Sequence, residues 1–384
     1  MHILQVTPYF PPTWAYGGIP RIVDGLSRAL VELGHKVTVL TTDALDETDR
    51  VDLPKDRDHH GVRVLTAPNV ANGLAYRHQL FLPRGVSELL ESVRDVDVVH
   101  LHGHRHLLNN AAVRWARTNG VPYVLTANGT LLRHERKIGL KWAWDRLVSG
   151  SIPAGASRLI AVSSSDVARH RQAGVAADKI VRIPNGLDLG EFKSLPAKGS
   201  FRSKYGLGTG PIVSYLGRVS PRKGVEHLVA AFADDAMAPA QLVVAGNDMG
   251  GMDAAVAAQR GGGVHFVGLV QGEDRLALLA DTDVLVYPSA DEVFGLVPFE
   301  GLLCGAPVVV ADDCGCGELI AEAGAGLLVR YGDEAGLRSR IRTLLDDHEA
   351  GASMVARGRK YVNEQLSFQP VARRHVDLYE SVRT

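Results

Sequence analysis

The 384-residue chain has little cysteine, few aromatic side chains (6%) and almost no net charge. Its three cysteines, Cys304, Cys314 and Cys316, fall in one short stretch. An odd number without a framework spacing excludes a disulfide scaffold and fits a reducing compartment, with the cytoplasm expected. Cys314-Gly315-Cys316 could form half a metal site, but no second Cys or His pair stands at zinc spacing, so no metal is expected. A formal net charge of -1 supplies no global basic field, so nucleic acid is not an expected partner and any polyanion site must be local. No apolar run reaches the ~18 residues of a spanning helix. Met1 leads directly into His2-Ile3-Leu4-Gln5-Val6 without a basic n-region, so no signal peptide is expected. No G-x-G-x-x-G follows that first strand, which disfavours a dinucleotide-dependent dehydrogenase.

What is present is ordinary globular composition, 46% hydrophobic and 22% charged, in a chain too long for one ordinary core. One pattern recurs: an amphipathic helix closes on a glycine and a β-branched run follows. Ala29 to Gly34 precedes Val37-Thr38-Val39-Leu40, Asn119-Gly120 precedes Val121 to Thr126, and Cys304-Gly305 precedes Val308-Val309-Val310. Glycine suits the left-handed end of a helix, and near-continuous Val/Ile/Leu strands are those buried on both faces. The pattern predicts a parallel, doubly wound α/β architecture. A first sheet is expected near 2–6, 36–41, 62–66, 96–101, 122–126 and 158–162. A second is expected near 212–216, 241–245, 264–267, 284–287 and 307–311. The polar stretch opened by Pro184-Asn185-Gly186 is the expected linker. This gives domains at 1–190 and 191–366, with a C-terminal helix over 367–384 expected to pack back on the first. Ligands of such sheets bind beyond the carboxyl ends of the strands, so chemistry is sought in the following loops.

The most informative stretch runs from Pro288 to Gly301, after the strand Val284 to Tyr287. Pro298 fits a first helical turn. The backbone N–H groups of Gly295, Leu296 and Val297 would then face an anion such as phosphate. Glu292 and Glu300 bracket this site. Carboxylates beside a phosphate suit neutral hydroxyls, although Glu300 could equally serve first-turn helix electrostatics and Glu292 could be a solvated loop residue. Arg218 and Lys223 emerge after the first strand of the second domain. Together they can neutralise a diphosphate, Arg as a planar fork and Lys as a point charge. Basic residues at strand ends are often plain surface, but here several strand-end loops would converge on one anion site.

The paired glutamates in Glu292-Val293-Phe294-Gly295-Leu296-Val297-Pro298-Phe299-Glu300, with Pro288-Ser289 before and Cys304 to Val309 after, resemble the signature of the family-4 retaining glycosyltransferases, group 1. Gly217 to Gly224 is similar to the same signature, and the likeness includes Ile183 to Asp188. The resemblance implies a GT-B fold, two Rossmann-like doubly wound parallel-sheet domains facing each other across a cleft. It also implies a transferase that uses a nucleotide-diphosphate sugar (UDP- or GDP-sugar) with retention and without a required metal or other cofactor. Arg218 and Lys223 would hold the diphosphate, Glu300 the ribose, and Glu292 with the Phe294, Gly295 and Leu296 backbone the donor sugar. Such an enzyme would serve bacterial polysaccharide or glycoconjugate biosynthesis. Its acceptor would be a glycan, a lipid-linked sugar or a small molecule.

In the first half, a Pro- and aromatic-rich loop ends at Gly17-Gly18, which permits close backbone approach to a phosphate or sugar or makes a simple tight turn. The resemblance implies that this pair faces the donor. Asn128 stands where many relatives carry histidine. An amide can bond a hydroxyl but cannot take a proton as imidazole does, which favours a front-face path in which the leaving phosphate accepts the acceptor's proton. His102 is the nearest substitute base, with a structural hydrogen-bonding role as its other reading. Leu131 to Val148, which contains Arg133, Trp142 and Trp144, could be a solvated basic face, or could meet an anionic membrane or a phosphorylated lipid acceptor. The competing functions are a sugar phosphorylase or synthase, a nucleotide-sugar hydrolase or epimerase, and a non-catalytic nucleotide-sugar binding protein of the same fold.

Overall fold

A computed structural model describes residues 1–131, 151–233, 237–247, 263–290 and 292–383. The chain divides into two compact units, Met1–Leu187 with Leu366–Thr384, and Asp188–Gln365.

In unit 1, β1 (His2–Val6), β2 (Lys36–Thr42), β3 (Asp56–His59), β4 (Val62–Ala67), β5 (Val98–His102), β6 (Tyr123–Thr126), β7 (Arg158–Ala161) and β8 (Ile180–Arg182) form one sheet in the order β3-β4-β2-β1-β5-β6-β7-β8. All pairs are parallel except β3 with β4. Successive residues of the central strands face opposite layers. Ile3, Val37, Val39 and Val98 join one core cluster, whereas Leu4, Val6, Leu40 and Leu101 join the other. Burial on both faces is why these strands read as unbroken apolar runs. The helix Phe368–Arg383 inserts Val371, Ala372, Leu378 and Tyr379 into the first of these cores, beside Val23, Leu26 and Leu30 of the helix Ile19–Glu32. The chain leaves unit 1 at Leu187, whose amide donates to the Leu366 carbonyl at 2.8 Å.

In unit 2, β9 (Ile212–Leu216), β10 (Gln241–Ala245), β11 (Val264–Gly268), β12 (Val284–Tyr287), β13 (Val308–Ala311) and β14 (Gly326–Val329) form a wholly parallel sheet in the order β11-β10-β9-β12-β13-β14. The strand order reverses between β9 and β12, which pair Leu285 with Ser214. A doubly wound sheet opens its ligand crevice at such a reversal, beyond the strands' carboxyl ends.

Three strands lie outside the sequence expectation. β3 is an antiparallel edge strand of charged residues without apolar alternation. β8 is three residues long, and the four residues of β14 follow a helix end at Gly324 too closely to stand out.

Candidate functional site

β9 and β12 release their loops on the two sides of the strand-order reversal in unit 2. The loop after β9 carries Arg218 and Lys223, and the loop after β12 carries Glu292. The two loops lock together through the backbone: the Ala290 amide donates to the Arg222 carbonyl at 2.9 Å. Gly224, at φ +68°, permits this approach, because a Cβ there would stand 2.4 Å from the Pro288 carbonyl oxygen. The Glu292 carbonyl accepts from the Gly315 amide at 2.8 Å, tying the same loop to the segment after β13.

The side chains converge accordingly. The Lys223 ammonium donates to Glu292 Oε2, and the Tyr287 hydroxyl donates to that oxygen at 3.1 Å while lying 3.4 Å from Lys223 Nζ. Ser289 Oγ is 3.4 Å from the same carboxylate. Tyr215 stacks on Tyr287 with ring centroids 6.3 Å apart, and its hydroxyl holds the Arg218 carbonyl at 2.7 Å. Burial works to raise the pKa of Glu292, but Lys223, the Tyr287 hydrogen bond and Arg218 together hold it below the usual carboxylate range. Burial, reinforced by the Glu292 charge, lifts the Tyr287 phenol well above its ordinary value, so it serves as a donor. The structure therefore brings Arg218, Lys223 and Glu292 into one electrostatic cluster on a floor of two tyrosines.

Gly295, Leu296 and Val297 lead into the helix Val297–Cys304, with Pro298 in its first turn. Gly295 adopts φ +76°, and a Cβ on it would meet Cys316 Sγ at 2.8 Å. Phe294 is buried against Phe299, ring centroids 5.7 Å apart. Glu300 sits in the first turn of this helix and is itself buried. Its Oε2 lies 2.6 Å from Arg275 Nη1, a partner that the sequence reading did not single out. An arginine on the helix Gly272–Asp281 reads as solvated surface, and nothing in the sequence distinguishes it from Arg202 or Arg222. Tyr215 and Tyr287 likewise carry no signal of their own in the sequence beyond standing at strand ends near Arg218 and Glu292. All three cysteines are free and buried. Among the described residues no group of three or more His, Cys, Asp or Glu is placed to hold a metal.

In unit 1 the reversal lies between β1 and β5. Gly17 and Gly18 are exposed and precede the helix Ile19–Glu32. Asn128 follows β6 at φ +49°, and its Nδ2 is buried without a hydrogen-bond partner. His102 is sealed inside, 3% exposed, with Nε2 2.6 Å from Gln5 Oε1. Burial, with His375 adding to it, pushes its pKa down to about 3. Arg133 and the basic aromatic segment from 132 to 148 lie outside the described residues. Among the described residues no helix is long and apolar enough to cross a membrane.

Two family profiles match the chain: "Glycosyltransferase Family 4" over residues 16–191 and "Glycosyl transferases group 1" over residues 198–361. A GDP-mannose-dependent alpha-mannosyltransferase of Mycolicibacterium smegmatis is 29% identical over 365 residues, covering 90% of each chain. A glycogen synthase of Mycobacterium tuberculosis is 28% identical over 408 residues, covering 99% of this chain and 94% of its own. The Anabaena HepE structure in complex with UDP and glucose superposes with a TM-score of 0.75 at 21% identity, over 99% of this chain and all of the other. Two parallel-sheet α/β units with such neighbours define the GT-B fold, and the relatives are glycosyltransferases. The chain belongs to the family-4, group 1 glycosyltransferases and is a transferase.

Proposed function

We propose that the protein transfers a sugar, with retention, from a nucleotide-diphosphate sugar to an acceptor hydroxyl. The observation that carries this reading is the convergence of Arg218, Lys223 and Glu292 from adjacent strand-end loops where the strand order of unit 2 reverses. Arg218 and Lys223 bind the diphosphate and stabilise the charge that builds on it as the bond to the anomeric carbon breaks, the work a divalent ion performs in other sites. The amides of Gly295 to Val297 add the positive end of a helix. Glu292, kept ionised, accepts from donor-sugar hydroxyls together with the backbone of Phe294 to Leu296, and Glu300 accepts from the ribose.

Lys223 is bonded to Glu292 before any ligand arrives. A diphosphate would therefore share the ammonium with the carboxylate, and Tyr287 would hold Glu292 in place as it does so. Gly17 and Gly18 offer close backbone approach to the donor, and on the acceptor side Asn128 offers an amide donor. A histidine held near pKa 3 is a very weak base, so His102 shapes this side without taking a proton. The acceptor oxygen attacks the anomeric carbon on the face the phosphate leaves. Its proton passes to the departing phosphate oxygen, which balances the step without a side-chain base. UDP- and GDP-sugars are both fitting donors, given the relatives' GDP-mannose and UDP. Glycans, lipid-linked sugars and small molecules are the fitting acceptors, in the cytoplasm or at the inner face of the membrane.

The test is a transfer assay with UDP- and GDP-sugars against an acceptor panel in the presence of a chelator. The reading expects nucleoside diphosphate to appear only with acceptor, and the product to keep the donor's anomeric configuration by NMR. Diphosphate release without acceptor, or inversion, contradicts it.

A further inference from the structure

Among the described residues of unit 2, Arg275 is the one buried arginine or lysine, 7% exposed. Its guanidinium does not close a one-to-one pair. Nη1 reaches Glu300 Oε2 at 2.6 Å, Nη2 bonds Glu191, and the guanidinium carbon stands 5.7 Å from the Phe192 ring centroid. Glu191 and Phe192 belong to the turn Leu189–Phe192, the first turn of the chain in unit 2. An ionised carboxylate accepts well from hydrogen-bond donors without charge. The planar fork also fixes direction: the Nη2 bond to Glu191 orients the guanidinium so that Nη1 forms its ion pair with Glu300 Oε2, an arrangement a point-charge ammonium would not reproduce. Burial works to lower the pKa of Arg275, but Glu300 and Glu191 outweigh it and raise it, so the clamp stays charged.

Glu300 lies in the first turn of the helix whose N-terminal amides are proposed above to face the diphosphate. In a nucleoside diphosphate the group joined to the phosphates is the ribose, whose vicinal hydroxyls are uncharged donors. We propose that Arg275 is the positioning residue that fixes the Glu300 carboxylate to accept both ribose hydroxyls of the donor nucleotide, with Glu191 and Phe192 holding the guanidinium in place. The inference rests on the proposed ribose role of Glu300 and deepens it: Arg275 sets how strongly the protein distinguishes ribose from 2′-deoxyribose.

The experiment titrates UDP and GDP, each beside its 2′-deoxy counterpart, into the full chain as wild type, Arg275→Gln, Arg275→Lys and Glu191→Gln, with donor KM and kcat measured in parallel. Loss of a hydrogen bond to a charged group gives an expected wild-type preference for ribose of about tenfold or more. Arg275→Gln brings that ratio near one and raises donor KM roughly tenfold while kcat changes by less than about threefold. Arg275→Lys, which keeps the charge but not the fork, lowers the ratio part of the way and carries the test if the glutamine variant does not fold. Glu191→Gln, which weakens the bond that orients the guanidinium, lowers the ratio part of the way. A wild-type preference that survives in both Arg275 variants overturns the role of Arg275 alone and leaves it a charge-neutralising core residue. No ribose preference in the wild type overturns the Glu300 reading and this inference together.

Discussion

The Lys223 ammonium, the Tyr287 hydroxyl and Ser289 Oγ all converge on one oxygen of Glu292. Removing one member of such a set leaves the others partly desolvated and unpaired, which costs more than removing both partners. Lys223→Met is therefore expected to lower the melting temperature, and the double variant Lys223→Met with Glu292→Gln to recover part of the loss. Thermal denaturation of the four proteins in a double-mutant cycle checks this, and strictly additive losses would contradict it. In transfer, losing a preorganised cation at the leaving diphosphate is expected to cost about a hundredfold or more in kcat/KM, read in the assay above. At this scale the sequence was legible where charge stands next to a strand end, as for Arg218, Lys223 and Glu292. It was silent where the partner comes from a helix distant in sequence, as Arg275 does for Glu300.

In the proposed donor site the central element is the turn from Glu292 to Leu296 and the helix it starts. Its course depends on Gly295, at φ +76°, because a side chain there would be strained and would collide with Cys316 Sγ. Gly295→Ala is expected to destabilise the chain by about 1–3 kcal/mol and to weaken nucleoside-diphosphate binding, since the first helical amides shift with the turn. Urea denaturation and calorimetry on the same protein check both halves. A variant with wild-type affinity would show that those amides do not touch the ligand. The elements themselves were largely legible. Eleven strands follow from apolar runs, three of them directly after the helix-ending glycines Gly34, Gly120 and Gly305, because strands buried on both faces need such runs. The edge strand β3 escaped because it buries little, and β8 and β14 because three and four residues make too short a pattern.

Across the whole molecule the two units carry different titratable groups, the cluster of Arg218, Lys223 and Glu292 in unit 2 and a buried histidine network in unit 1. In the latter, His100 lies between the Tyr379 hydroxyl and Thr126 Oγ1, each at 2.7 Å. Burial, first among the causes, pushes His102 down to about 3 and His106 and His375 to about 4, and holds His100 well below its usual value. The unfolded chain binds these protons near pH 6.5 and the folded chain does not, so stability is complete above that value and falls as pH drops toward 4. Each histidine contributes up to about 1.4 kcal/mol per pH unit in that window. Denaturation at pH 7, 6 and 5 is expected to show the decline, and His375→Gln to make it shallower. Equal slopes in variant and wild type would contradict the buried neutral state. The sequence offers a structural hydrogen-bonding role for His102, but alternating His100, His102, His104 and His106 show no sign of which faces are sealed.

The central claim is that unit 2 grips a nucleoside diphosphate through Arg218, Lys223 and the turn into the helix Val297–Cys304. Calorimetric titration of the full chain with UDP, GDP and ADP, repeated on Arg218→Ala with Lys223→Ala, measures it directly. The account predicts saturable binding of at least one diphosphate by the wild type and its loss in the double variant. Equal affinity in both proteins, or no binding of any of the three by the wild type, would contradict it.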